Sequence, residues 1–192
     1  MNVFKRGLLL PSPMGQAWWR RPSTLPIVLL VMALCIIIAG GTIRINDAGE
    51  SCPDWPQCFG TWGFDISIEE QGEYWDENPD EIDSRGADYR YTTFEIFSEW
   101  FHRMLVGVIA VPVLLNALIA RKMIDVYGKT VYRSTLLSGV LLIIQALVGA
   151  LTVAMDKVDW SVALHLSLAS IFTSTFIYQH FAMRKSEEST WE

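Results

Sequence analysis

The amino-acid sequence predicts an all-α membrane protein, a four-transmembrane-helix up-down-up-down bundle carrying one long extracytoplasmic loop. Three observations lead there. Of 192 residues, 51% are hydrophobic and only 19% are charged. The apolar residues gather into four blocks that, wound at ~1.5 Å per residue, cover the ~30 Å of a bilayer's hydrocarbon core. The charge is also unevenly spread. Residues 43–95 hold 14 acidic and 3 basic residues, a local balance of −11, whereas the rest of the chain holds 12 basic and 7 acidic ones. This partition excludes a soluble enzyme, a secreted disulfide scaffold and a nucleic-acid binder. The environment it demands is a lipid bilayer.

The first block, residues 25–43, has no charge. It is too long for a cleaved signal peptide and no small-residue cleavage site follows, so it reads as an uncleaved anchor. The second spans about 96–120 and contains Glu99, His102, Arg103 and Pro112, the last expected to kink it. The third covers about 134–155, with Gln145 as an internal polar contact, and the fourth about 160–183. The short linker between the last two permits only a tight antiparallel turn, as in an up-down bundle. The expected organisation is a cytoplasmic segment 1–24, a four-helix domain 25–183 including an external acidic loop 44–95, and a cytoplasmic tail 184–192.

Orientation follows from the basic residues. Lys5, Arg6, Arg20 and Arg21 precede the first span, Arg121, Lys122, Lys129 and Arg133 lie between the second and third, and Arg184 and Lys185 follow the fourth. The other two connections hold only Arg44, Arg85, Arg90 and Lys157. Both termini are therefore expected in the cytoplasm, with loop 44–95 outside the plasma membrane. Trp100 and Trp160 open the two inward-running helices, at the outer interface where indole rings prefer to sit.

Within the loop, residues 44–63 are rich in Gly, Pro, Cys and Trp, as in a compact ordered segment. Residues 65–93 are acidic and poor in aliphatic side chains, which suits either disorder or a small hydrated cap. Cys52 and Cys58, spaced Cys-x5-Cys in an oxidising compartment, can close a small ring, as a staple of the loop or as a redox pair. No further Cys or His lies in the loop, so no metal site is expected there. Cys35, in mid-span, is expected to be a small buried hydrophobe.

The three histidines, His102, His165 and His180, all fall in apolar blocks. An ionisable group at that depth needs a partner that offsets its desolvation, which makes it a functional candidate. His102 and His165 each stand 19 residues before the first basic residue of their helix end, Arg121 and Arg184. The two imidazoles therefore lie level, and on separate helices they suit the two axial positions of a haem iron; the alternative is a pair of hydrogen-bonded packing residues. His180 lies 15 residues beyond His165, roughly 22 Å deeper, and reads as an interfacial residue. Glu99 shares a helix face with His102 and can orient the imidazole or act on substrate protons, or else form a salt bridge with Arg103 or Arg44. Arg103, together with Arg44, is the candidate cation for haem propionates. No other metal is expected.

These residues sit in recognisable surroundings. The segment GGTIRINDAGESCPDWPQCFG (Gly40 to Gly60), EWFHR (Glu99 to Arg103), QALVGALTV (Gln145 to Val153) and ALHLSLA (Ala163 to Ala169) together resemble the haem A synthase family. The resemblance implies oxidation of one methyl group of haem O, through hydroxylation, to the formyl of haem A for terminal oxidases. It implies haem ligation by His102 and His165, a functionally important carboxylate at Glu99 and an external cysteine pair at Cys52 and Cys58. Haem O and haem A would be substrate and product, with haem b as the alternative ligand. Family members commonly have eight helices in two similar halves, and this chain resembles the amino-terminal half only; residues 65–93 have no counterpart. A homo-oligomer or a second-half partner subunit would rebuild the larger unit. Haem O synthase and the terminal-oxidase assembly machinery are the further partners implied. The competing functions are a b-type haem electron-transfer or assembly subunit of a respiratory complex without turnover, and a haem chaperone. The acidic loop would then be a docking face for a basic partner, or simply a solubilising surface.

Overall fold

A computed structural model describes residues 17–155 and 157–189; Lys5 and Arg6, and the ends of both expected cytoplasmic segments, lie outside the described residues. Five helices are found: α1 Leu25–Ile45, α2 Ile68–Glu77, α3 Thr93–Lys122, α4 Ile124–Ala154 and α5 Asp159–Ser189. All but α2 are long and apolar enough to cross a membrane. Among the described residues there is no strand, only an isolated bridge between Cys58 and Thr61.

Local chemistry sets the ends. Pro26 lies in the first turn of α1, where its missing N–H has no helical partner to lose. At the other end the Asn46 side chain donates to the Thr42 carbonyl at 2.8 Å. A Thr92–Glu95 capping box starts α3 three residues before the expected boundary, and α3 continues unbroken across Pro112. Only Met123 separates α3 from α4, so the expected polar connection around residues 121–133 is largely helical instead. Tyr127 and Val131 recur at helical spacing and are buried with Met123 and Met183, so one packed face carries the polar stretch into helix. Gly128 interrupts α4 there with φ of 81°, a conformation that glycine adopts without steric cost.

Helix α1 packs on α3 and α5, and α4 packs on the same two, so α3 and α5 stand on one diagonal of a four-helix bundle. Ser23, ahead of α1, hydrogen-bonds Glu187 near the end of α5 at 3.0 and 2.6 Å, while Arg44 pairs with Asp159 at the opposite end of the same two helices. The mid-bundle core is Leu29, Ala33, Ile109, Val113, Leu141, Phe172 and Phe176. The outer faces carry exposed Val31, Ile38, Val111, Leu114, Ile143 and Leu147, as expected where hydrocarbon rather than water covers the protein. Cys35 belongs to that outer face and is exposed, which corrects the expectation of burial. It lies two residues from buried Ala33, and two steps of ~100° turn it to the far side of the helix.

Residues 65–93 form a packed cap at the loop end of the bundle. A Ser67–Glu70 capping box starts α2. Trp75 and Tyr91 are 3% and 2% exposed and pack with Phe59, Ile66, Ile96 and the disulfide-bonded Cys52 and Cys58. Buried Gln71 clamps the return strand of chain, donating to the Tyr91 carbonyl at 3.0 Å and accepting from the Tyr91 amide at 2.8 Å.

Candidate functional site

His102 on α3 and His165 on α5 occupy the diagonal pair of helices. Both rings rest on glycines of the neighbouring helices. A Cβ built on Gly40 of α1 would lie 3.1 Å from His102 Cε1, and one on Gly149 of α4 would lie 3.1 Å from His165 Cε1. Each ring has a buried Nδ1 with no hydrogen-bond partner among the described residues. Gln145 donates to the His165 backbone carbonyl at 2.8 Å, tying α4 to the histidine-bearing turn.

One turn towards the cap, Glu99 is 6% exposed and its Oε1 accepts from Arg103 Nε at 2.9 Å. The rest of the Arg103 guanidinium faces the Cys52–Cys58 ring. It donates to the carbonyls of Gln57 and Cys52, each at 2.7 Å, and to that of Asp54. Four of its five N–H groups are thus directed at protein acceptors. The disulfide beneath them has both cysteines at 0% exposure. Arg44 is more open, with a 3.5 Å pair to Asp159 and 49% of its side chain exposed. His180 lies apart, its Nδ1 2.7 Å from the Ser23 carbonyl, as a tie between α5 and the turn before α1.

The basic residues of the loop end serve the cap. Lys157 reaches Asp47 at 2.7 Å and Glu50 at 3.4 Å, and Arg85 reaches Asp47 at 2.8 Å. The Lys157 stem runs over Gly49, where a Cβ would meet its Cδ at 2.9 Å. The Lys157 hydrogen bond foremost, with both cations adding, holds the Asp47 carboxyl below the usual range. Burial and the Asp83 carboxylate push the Tyr91 phenol well above its usual range.

The structure places His102 and His165 on the two diagonal helices and His180 against the turn before α1. Sequence reasoning missed Gly40 and Gly149. The visible signal was a glycine five residues before the end of each of two apolar helices, and it gains meaning only when a ring is seen above it. Among the described residues no group of three or more His, Cys, Asp or Glu side chains is placed to hold a metal ion. The residues present fit a haem: two imidazoles on diagonal helices, each with a buried Nδ1 that has no hydrogen-bond partner among the described residues and a glycine beside the ring, although the His102 ring also bonds the Ile36 backbone.

Fold and site define a multi-pass membrane four-helix bundle with paired intramembrane histidines beneath a disulfide-stapled cap. Residues 23–192 match the cytochrome oxidase assembly protein family, and the chain belongs to it. A protein named Heme A synthase from Shewanella oneidensis is 29% identical over 139 residues, covering 72% of this chain and 38% of that relative. Another of that name from Geobacillus thermodenitrificans is 27% identical over 142 residues, 73% of this chain and 37% of the relative. The chain therefore spans about two fifths of the length of the curated relatives it matches. No solved structure matches it.

Proposed function

We propose that this chain binds haem O between His102 and His165 and takes part in oxidising one of its methyl groups to the formyl of haem A. The observation that carries the reading is the pair of histidines on diagonal helices, each 19 residues before the first basic residue of its helix end, with Glu99 one turn from His102, in a chain similar over most of its length to proteins named Heme A synthase. Haem O would be the substrate, and His102 and His165 are the residues that would hold it. Glu99, with Oε1 held by Arg103, would have Oε2 left to accept a proton from the substrate. Arg103 holds the catalytic carboxylate to the disulfide ring, and the ring acts as a staple because its sulfurs are shut away from reductants. Propionate binding falls mainly to Arg44, whose only ion pair among the described residues is long and exposed.

The four-helix domain, residues 25–183, sits in the plasma membrane with the cap outside and both ends of the chain in the cytoplasm, as the distribution of basic residues favours. A second copy or a second-half partner subunit completes the larger unit and supplies the route by which electrons leave. Haem O synthase and the oxidase assembly machinery are the upstream and downstream partners.

Coexpression with a source of haem O, followed by mass analysis of extracted haem, tests this reading. Haem A should form with the native chain, and Glu99→Gln should retain haem O unconverted. Bound haem with reversible redox spectra and no conversion in the native chain would favour an electron-transfer or assembly subunit instead.

A further inference from the structure

The bundle is internally duplicated around the histidine pair. Buried positions Ile109, Val113, Asn116 and Ala120 of α3 recur on α5 as Phe172, Phe176, Gln179 and Met183, and Asn116 and Gln179 meet directly at 2.7 Å with a separation of 63 residues. The same separation relates His102 to His165. On the other diagonal, Gly40 stands five residues before the end of α1 and Gly149 five before the end of α4. The contacts repeat as closely as the positions. From a Cβ at Gly40 the His102 ring atoms Cε1, Nδ1 and Nε2 lie at 3.1, 3.6 and 3.8 Å; from one at Gly149 the His165 atoms lie at 3.1, 3.7 and 3.7 Å. Ordinary carbon contacts are ~3.5–4.0 Å, so each ring stands where a methyl group would force it to move.

We propose that Gly40 and Gly149 are a twinned pair of positioning residues, which set the rotation of the two imidazoles presented to the porphyrin metal. The proposal rests on the haem-binding reading but adds to it. A ring whose Cε1 edge lies over a glycine, with no ordinary contact room there even for a methyl group, has its rotation about the Cβ–Cγ bond limited on that side by the neighbouring helix. The angle between the two imidazole planes is then fixed by α1 and α4 rather than by the ligand. That angle governs the electronic structure of a bis-imidazole iron, one of the levers by which a protein tunes haem. Gly41, Gly107 and Gly139 provide internal controls, since a Cβ on any of them meets nothing within 4 Å.

The test has a haem-free arm and a haem-loaded arm. With only 3 histidines in the chain, the ring Cε1–Hε1 resonances of the 13C-histidine-labelled full chain in detergent micelles can each be assigned by substitution. Gly40→Ala should shift the His102 resonance and spare His165, Gly149→Ala should do the reverse, and Gly41→Ala should move neither. In the haem-loaded ferric protein, Gly40→Ala and Gly149→Ala should each displace the low-field electron paramagnetic resonance feature, with haem still bound and Gly41→Ala unchanged. Unaltered ring resonances and an unaltered resonance feature in both alanine variants would overturn the proposal. If Gly40→Ala does not fold, the double variant Gly40→Ala/His102→Ala removes the overlap; recovered folding supports the contact and continued failure overturns it. Absence of haem uptake by the native chain would instead sink the haem-binding reading, while the haem-free arm still decides the cradle.

Discussion

Arg103 and Glu99 form a pair in which both side chains are 8% exposed, so neither can be removed without leaving the other's charge uncompensated. Arg103→Ala should cost about 3–5 kcal/mol, and the loss should shrink in the double variant Glu99→Gln/Arg103→Ala. Thermal unfolding in detergent reads both. Arg103→Lys should behave more like Arg103→Ala than like the native chain, because an ammonium cannot reach Glu99 and three loop carbonyls at once. At the cap, Asp47 has its carboxyl pKa lowered, chiefly by Lys157. A lowered carboxyl pKa contributes stability above the unfolded value, about 4, and that contribution is lost as pH falls through the folded value. Acid should therefore loosen the cap below about pH 4, seen as exposure of Trp75 fluorescence, and Lys157→Met should flatten that acid limb. The histidines and the acidic side chain beside them stand out in the sequence because an ionisable group in lipid needs a partner that offsets its desolvation. The destination of Arg103 does not, since its acceptors are backbone carbonyls that no side-chain pattern reveals.

Among the elements, the membrane helices were readable from apolar length alone, whereas α2 was not. Its helix is short and acidic, and what makes it fold is a single buried face of Gln71 and Trp75 against Tyr91 and Phe59. The cap's core is aromatic, so a scan for aliphatic side chains finds an acidic excursion where there is a packed layer. Trp75→Ala should therefore cost about 3–5 kcal/mol of cap stability and leave the bundle's helicity intact, as read by proteolysis of the loop against circular dichroism. Thr92→Ala removes the cap of α3 and should cost about 1 kcal/mol. The start of α4 was misjudged for a related reason: Lys129 and Arg133 look like a loop, yet Tyr127 and Val131 on the same stretch are buried against α5.

For the whole molecule, the diagonal helices α3 and α5 are pinned at the terminal end and presented to each other at the loop end. The pin is a buried polar network in which Asn116 donates to Gln179 at 2.7 Å, and Gln179 in turn donates to the Ser134 carbonyl at 3.0 Å and the Ser138 hydroxyl at 2.7 Å. At the other end each imidazole lies over a glycine of a neighbouring helix, His102 over Gly40 of α1 and His165 over Gly149 of α4. The most direct measurement is the haem content and optical spectrum of the purified full chain, beside His102→Ala, His165→Ala and the double variant. One haem per four-helix chain with a low-spin bis-imidazole spectrum, weakened in each single variant and lost in the double, is the expected result. Pigment bound undiminished after both imidazoles are gone would contradict the account.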